Sequence, residues 1–220
     1  MIRTMWSVLR SLLRWPPAID DSRWVVLDVE TSGLHPQTDR LLAVAAIAVR
    51  FEDGRACIDL GDSFEVVLRQ HDAVAVADKE NILLHGIGVG AQRAGIEPDV
   101  ALRSFSRFVG RSPLLAFHAA FDRMMILRAF DSAIGSRPPN PWLDIEPLAA
   151  VLYPQVKARA LDEWMAHFRI HCAVRHQAAA DTLATAELLL KLWPRACTQM
   201  KVPGFRAAAA LAAQRRWLPN

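Results

Sequence analysis

The sequence predicts an α/β domain built on a mixed β-sheet. Three observations predict it. Apolar runs at residues 24–29, 41–51 and 56–68 follow one another across short turns, as the strands of an antiparallel meander do. From about residue 72 onward the pattern changes to short apolar strands alternating with helix-period segments, which is how helices packed on a sheet read. The chain has 220 residues, 52% hydrophobic and 22% charged, enough for one sizeable core.

The chain opens on a basic amphipathic segment. Ile2, Met5, Trp6, Leu9, Leu12 and Leu13 recur at a helical period with Arg3, Arg10 and Arg14 among them, and Pro16-Pro17 ends the run. Residues 1–20 are expected to be a separate N-terminal helix. Packing on the domain and docking to a partner are favoured for it over a membrane surface. Arg10 and Arg14 interrupt any signal-peptide core.

Residues 24–29 then form a buried strand rich in Trp, Val and Leu. A turn at His35-Pro36-Gln37-Thr38-Asp39 leads into a second buried strand at 41–51. Glu52-Asp53-Gly54-Arg55 carries a hairpin signal, and the third strand, 56–68, is expected to kink near Gly61. A short helical stretch within 72–85 ends at His85-Gly86. Residues 98–109 read as a full helix, 113–117 as a short buried strand and 122–130 as a helix. A proline-rich loop fills 136–141. Residues 142–153 begin as a strand and turn into a helix that stops before Pro154; 161–168 and 178–193 are two more helices. Residues 21–195 are expected to be the working domain. Residues 196–220, rich in Ala and Arg, are expected to be a partly mobile tail with a terminal helix.

Bulk properties narrow the setting. Lys and Arg number 26 against 23 Asp and Glu, a net charge of +3 that suits a polyanionic partner without requiring one. Cys57, Cys172 and Cys197 are far apart and odd in number, so neither a zinc ribbon nor a disulfide framework is suggested, and a cytoplasmic location is expected. No run of apolar residues is long enough for a transmembrane helix.

The first strand carries two acids. Successive strand side chains point to opposite faces, so Asp28 and Glu30 share one. Two carboxylates on one face of an apolar strand are costly unless something offsets them. Water does so if the strand lies at an edge; a divalent cation also does so, because Mg²⁺ and Mn²⁺ prefer oxygen ligands. Asp122 opens the helix after the strand at 113–117. Asp181 lies near the start of the helix at 178–193, with His176 five residues before it. Helix starts favour anionic side chains, so each Asp reads as readily as a cap as a ligand, and His176 alone reads as a surface histidine.

The wording of these segments resembles a known family. Asp28-Val29-Glu30-Thr31-Ser32-Gly33 matches the D-x-E-T-[TS]-G first motif of the DEDDh 3′→5′ exonucleases, the DnaQ-like enzymes that include proofreading epsilon-type subunits of bacterial polymerases. His118-Ala119-Ala120-Phe121-Asp122 resembles their second motif, H-N-A-x-F-D. His176 to Asp181 is similar to their third, H-x4-D, and His85-Gly86-Ile87 to their H-G-I segment. The resemblance covers roughly residues 24–193. It departs at Ala119, where the family usually has Asn, which removes a side-chain amide beside the site.

This resemblance implies an RNase H-like mixed five-stranded sheet, meander first and parallel strands after, with helices on both faces. It implies two Mg²⁺ or Mn²⁺ ions held by Asp28, Glu30, Asp122 and Asp181, with His176 as the general base. It also implies that Thr31, Gly33 and Leu34 meet the terminal nucleotide while His85 and Ile87 line its base pocket, Leu34 and Ile87 as apolar stacking faces. Lys79, Arg123 and Arg175 are candidate phosphate contacts. The expected function is metal-dependent removal of nucleoside monophosphates from DNA 3′ ends, single strands preferred, in proofreading or repair and with a DNA polymerase subunit as the protein partner. An exoribonuclease acting on RNA 3′ ends is the first alternative. A non-catalytic polymerase- or nucleic-acid-binding module, supported only by Ala119, is the second.

Overall fold

The structure, a computed structural model, describes residues 19–72 and 79–217. The expected N-terminal helix ahead of Pro16 lies outside the described residues. The strands are β1 (Arg23–Thr31), β2 (Leu41–Glu52), β3 (Arg55–Val67), β4 (Leu114–Ala116) and β5 (Trp142–Asp144). They form one five-stranded sheet in the order β3-β2-β1-β4-β5. β1 to β3 are antiparallel, as a meander requires, while β4 joins β1 and β5 joins β4 in parallel. This is the mixed RNase H-like α/β sheet that the sequence predicts. The kink near Gly61 is present: the β2–β3 register jumps from Ile47↔Ser63 to Ala48↔Asp59.

Alternation along β1 assigns its two faces. Val25, Leu27 and Val29 join a core closed by α3 (Pro98–Val109) and α4 (Ala120–Ala133), through Leu102, Phe105, Met125 and Ile126. Trp24 and Val26 join the opposite core. That second core is closed by α5 (Ile145–Leu152), α6 (Leu161–Phe168), α7 (Ala178–Gln199) and α8 (Phe205–Ala212). Asp28 and Glu30 continue the Trp24–Val26 face, so they point toward α7. The short helices α1 (Lys79–His85) and α2 (Val89–Ala94) lie between β3 and α3 in the chain.

Three elements differ from the sequence reading. α2 is not predicted; it is six residues long, contains Gly90 and lies between Gly88 and Gly95, so no apolar periodicity announces it. The last long helix does not stop at residue 193. It runs through Pro194 to Gln199, because Leu192, Trp193 and Ala196 are all buried against the sheet. Packing here outweighs the loss of one helical hydrogen bond at proline. The expected domain boundary at residue 196 therefore falls inside α7.

Past it, α8 packs into the core. Phe205 is 5% exposed, meets the Trp24 ring edge-on at 5.8 Å, and donates its N–H to Asp21 Oδ1 at 2.8 Å. A Cβ at Gly204 would lie 2.7 Å from Asp21 Oδ2, so a larger residue there would have to displace that carboxylate. Trp24 is also in contact with Phe51 at 4.2 Å and Trp193 at 5.2 Å, an aromatic cluster that fixes β1 against the C-terminal helices. Phe205→Ala is expected to cost about 3–5 kcal/mol of folding stability through the cavity it leaves. Urea denaturation checks this; a loss of well under about 1 kcal/mol would show that α8 rests on the domain without stabilising it.

Candidate active site

β4 is only three residues long and pairs with β1 at Val25↔Leu114 and Val26↔Leu115. Beyond Leu27, that edge of β1 is left to the start of α4. Asp122, buried at 5% exposure, takes the free position, where the Val29 N–H and its own N–H favour its charged form. On the other side, the Ala178 N–H at the first turn of α7 does the same for Glu30. Asp181, one turn further along α7, is 6% exposed. A register shift between Glu30 and Thr31 ends the regular pairing of β1 at this point. Strand end and two helix starts thus bring four carboxylates together at the carboxyl ends of the parallel strands, where open α/β sheets place their ligands.

Their electrostatics record the crowding. Desolvation pushes Asp28 well above the ordinary carboxylate range, and Asp122, Glu30 and Asp181 push it further. Glu30 is raised to about 8 by desolvation and by Asp181 and Asp122. Asp122 is raised to about 7, mainly by desolvation and with a contribution from Asp144. Among the described residues, Glu30 Oε1 is buried without a hydrogen-bond partner. Such an atom among four carboxylates fits a hard divalent cation in donor chemistry. Among the described residues, however, no three His, Cys, Asp or Glu side chains already converge as a metal cage.

Asp181 is already engaged by groups of the chain itself. The Arg175 guanidinium bonds Asp181 Oδ1 through Nη1, and reaches Asp162 Oδ1 with Nε at 2.6 Å. The His176 N–H donates to Asp181 Oδ2 at 3.0 Å. Arg175, expected as a phosphate contact, is thus held by two carboxylates, and its positive charge works against the upward shifts at Asp28 and Glu30. Lys79 and Arg123 are exposed. The His176 ring is also exposed, on a turn whose φ of 61° is left-handed, so the backbone of this residue, rather than its ring, contacts the acids.

The remaining predicted residues surround this pocket. Thr31 is 7% exposed and donates its hydroxyl to the Gly33 carbonyl at 2.7 Å, while Asn81 on α1 donates to the Thr31 carbonyl at 2.6 Å. A Cβ at Gly33 would lie 2.5 Å from Asp39 Oδ2, so the turn admits only glycine without rearrangement. Leu34 is 84% exposed and therefore not a core residue. His85 is buried and accepts the Ile87 N–H on Nδ1 at 2.9 Å, so the neutral ring carries its proton on Nε2. Ile87 is half-buried.

Asp144, which with the helix after it resembles an intervening segment of the family, is a structural contributor outside the three acidic motifs. It ends β5 opposite Ala116, and its Oδ1 accepts the His118 N–H at 3.0 Å and the Glu146 N–H at 3.1 Å. It thereby holds the turn that delivers Asp122, a turn in which His118 has a φ of 59°. The signal available in sequence is the usual one for a helix cap ahead of Ile145. Ala119 is 5% exposed and packs into the core beside α4.

Raised carboxylates make the metal-free fold pH-dependent. A carboxylate whose folded pKa exceeds its unfolded value contributes stability in full below the unfolded range, near about 4, and loses it as pH climbs through the folded value. Asp122 and Glu30 put the upper end at about 7 and about 8. His85, lowered by burial, acts in the opposite direction but is a single group. The melting temperature in EDTA is expected to fall between about pH 5 and pH 8. The fall should shrink in Glu30→Gln. A melting temperature that rises across this interval would contradict the crowded-acid account.

The described residues include no helix long and apolar enough to cross a membrane. Residues 25–189 match the profile of the RNase T-type exonuclease family. DNA polymerase III PolC-type from Bacillus subtilis is 30% identical over 177 residues, which is 79% of this chain and 12% of that protein. A DNA polymerase III subunit epsilon-like protein from Rhodobacter capsulatus is 31% identical over 179 residues, 80% of this chain and 24% of that one. The chain thus spans a quarter or less of the length of these relatives. Among solved structures, Escherichia coli exonuclease I in complex with a dT13 oligonucleotide superposes with a TM-score of 0.67 at 19% identity, covering 81% of this chain and 42% of that one. The complex of the same enzyme with dA16 gives 0.65 at 19% identity, covering 80% and 43%. The extent of the family match, together with the order of the acidic segments, shows that this chain belongs to the DnaQ-like 3′→5′ exonuclease family.

Proposed function

We propose that this chain hydrolyses DNA from its 3′ end, one nucleotide at a time, in a divalent-metal site formed by Asp28, Glu30, Asp122 and Asp181. The observation that carries the reading is the desolvated carboxylate cluster, in which Glu30 Oε1 is buried with no hydrogen-bond partner among the described residues. Mg²⁺ or Mn²⁺ ions, two in number, supply Lewis acidity at the scissile phosphate when bound. Asp28, Glu30, Asp122 and Asp181 would hold them through their carboxylate oxygens.

His176 takes the proton of the attacking water. Its exposed ring stands in the turn that leads into α7, one residue before the N-cap Gln177. The Thr31 to Gly33 turn, fixed by its internal hydrogen bond and by Asn81, stops the strand end. The exposed Leu34 side chain offers a face on which any base stacks, with His85 and Ile87 lining the pocket beside it. Lys79 and Arg123 are exposed and are the candidate phosphate contacts. Ala119 leaves the backbone of the second motif in place, since Asp144 holds that turn from below. Substrate rate or choice, rather than activity itself, is what its missing amide changes.

DNA is preferred over RNA because both relatives are named as DNA polymerase III proteins and both structural neighbours hold deoxyoligonucleotides. The same names support a proofreading setting with a polymerase as partner. 5′-labelled single-stranded DNA with Mn²⁺ is expected to yield a ladder of products shortened from the 3′ end. Asp28→Ala should give none. His176→Ala should be slower by about 10²–10⁴-fold while still binding Mn²⁺. Intact DNA after incubation with wild-type protein would sink the nuclease reading, and faster loss of a matched RNA oligomer would replace DNA with RNA as substrate.

A further inference from the structure

We infer that Arg175 is a positioning residue that sets how tightly the carboxylate pocket holds its metal, by competing with the cation for Asp181; the inference rests on the metal site proposed above. Both oxygens of Asp181 are engaged from one short turn. Oδ1 receives the Arg175 guanidinium and stands 3.6 Å from the Cys172 thiol, and Oδ2 receives the His176 N–H at 3.0 Å. A cation entering the pocket can use Oδ1 only if the guanidinium gives it up.

The guanidinium does not have to leave the neighbourhood to do so. Its Nε stays 2.6 Å from Asp162 Oδ1, and its Nη2 lies 3.4 Å from Asp162 Oδ2, on the second residue of α6. Asp162 is largely exposed, with 60% of its side chain accessible, whereas Asp181 has 9%. The arginine thus has a wet anchor and a dry one. A divalent ion replaces it at the dry one, where charge neutralisation is worth more, and leaves it paired at the wet one.

Two consequences follow from the charge alone. A guanidinium beside Asp181 offsets part of the repulsion among the carboxylates, so it stabilises the metal-free fold. The same positive charge repels an incoming divalent ion, so it weakens metal binding. Because Arg175 immediately precedes His176, its release from Asp181 removes one of the contacts that hold the turn carrying the proposed base. Asp181 is then ligand, helix residue and clasp of that turn in succession.

Calorimetric titration with Mn²⁺ at pH 8 and thermal melts with and without Mn²⁺ test this in wild type, Arg175→Gln and Arg175→Lys. Arg175→Gln is expected to bind Mn²⁺ about tenfold more tightly. Without metal it should melt below wild type, and Mn²⁺ should raise its melting temperature by more than it raises that of wild type. Arg175→Lys keeps the charge but cannot span both carboxylates, so it should shift in the same direction by less, and it serves if the Gln variant does not fold. Mn²⁺ affinity in the variants equal to or weaker than that of wild type overturns the role of Arg175. A wild-type chain that takes up no Mn²⁺ contradicts the metal site itself, and with it this inference.

Discussion

On folding, Asp28 loses most of its water and gains three negative neighbours in Glu30, Asp122 and Asp181. Like charges in a desolvated pocket oppose the fold, and the surroundings answer that opposition locally. Backbone N–H groups of Val29 and Ala178 point at two of the acids, and one guanidinium lies on a third. What stays unanswered is Glu30 Oε1. The chain thus offsets the charge of the pocket only in part, and the proposed metal would supply the rest.

The sheet makes the arrangement possible. A longer β4 would cover the edge of β1 and exclude Asp122; at three residues it ends level with Val26 and leaves room for α4. The strand that carries the acids cannot shift to relieve them, because Trp24 at its start is clamped by Phe51, Trp193 and Phe205. Apolar packing at one end of β1 thus holds charge in place at the other. α8 belongs to this clamp through Phe205, so a segment that composition marks as a tail bears on the site from about the far end of the strand.

Much of this was legible in the sequence for specific reasons. Period-two alternation in β1 placed Asp28 and Glu30 on one face, and the strand order follows from tight turns in the first half and crossovers in the second. The acids of α4 and α7 were legible as helix-start residues, but only their resemblance to known motifs joined them to β1. Three features had no local signal. α2 lacks periodicity, the continuation of α7 past Pro194 is decided by burial of Ala196, and the role of Arg175 depends on Asp162, thirteen residues away on another helix. That Asp144 orients the second acidic turn was not legible, because its contact to His118 spans 26 residues. Leu34 shows the converse: its apolar character allowed a core position, and its exposure removes that reading.

The central claim is that these four carboxylates converge in order to hold metal. Crystals of this chain grown with Mn²⁺ and a 5′-deoxynucleoside monophosphate, measured for anomalous scattering, test it most directly. The account predicts anomalous peaks among Asp28, Glu30, Asp122 and Asp181, with the Arg175 guanidinium turned from Asp181 toward Asp162. A pocket without a peak at saturating Mn²⁺, with Arg175 still on Asp181, would contradict it.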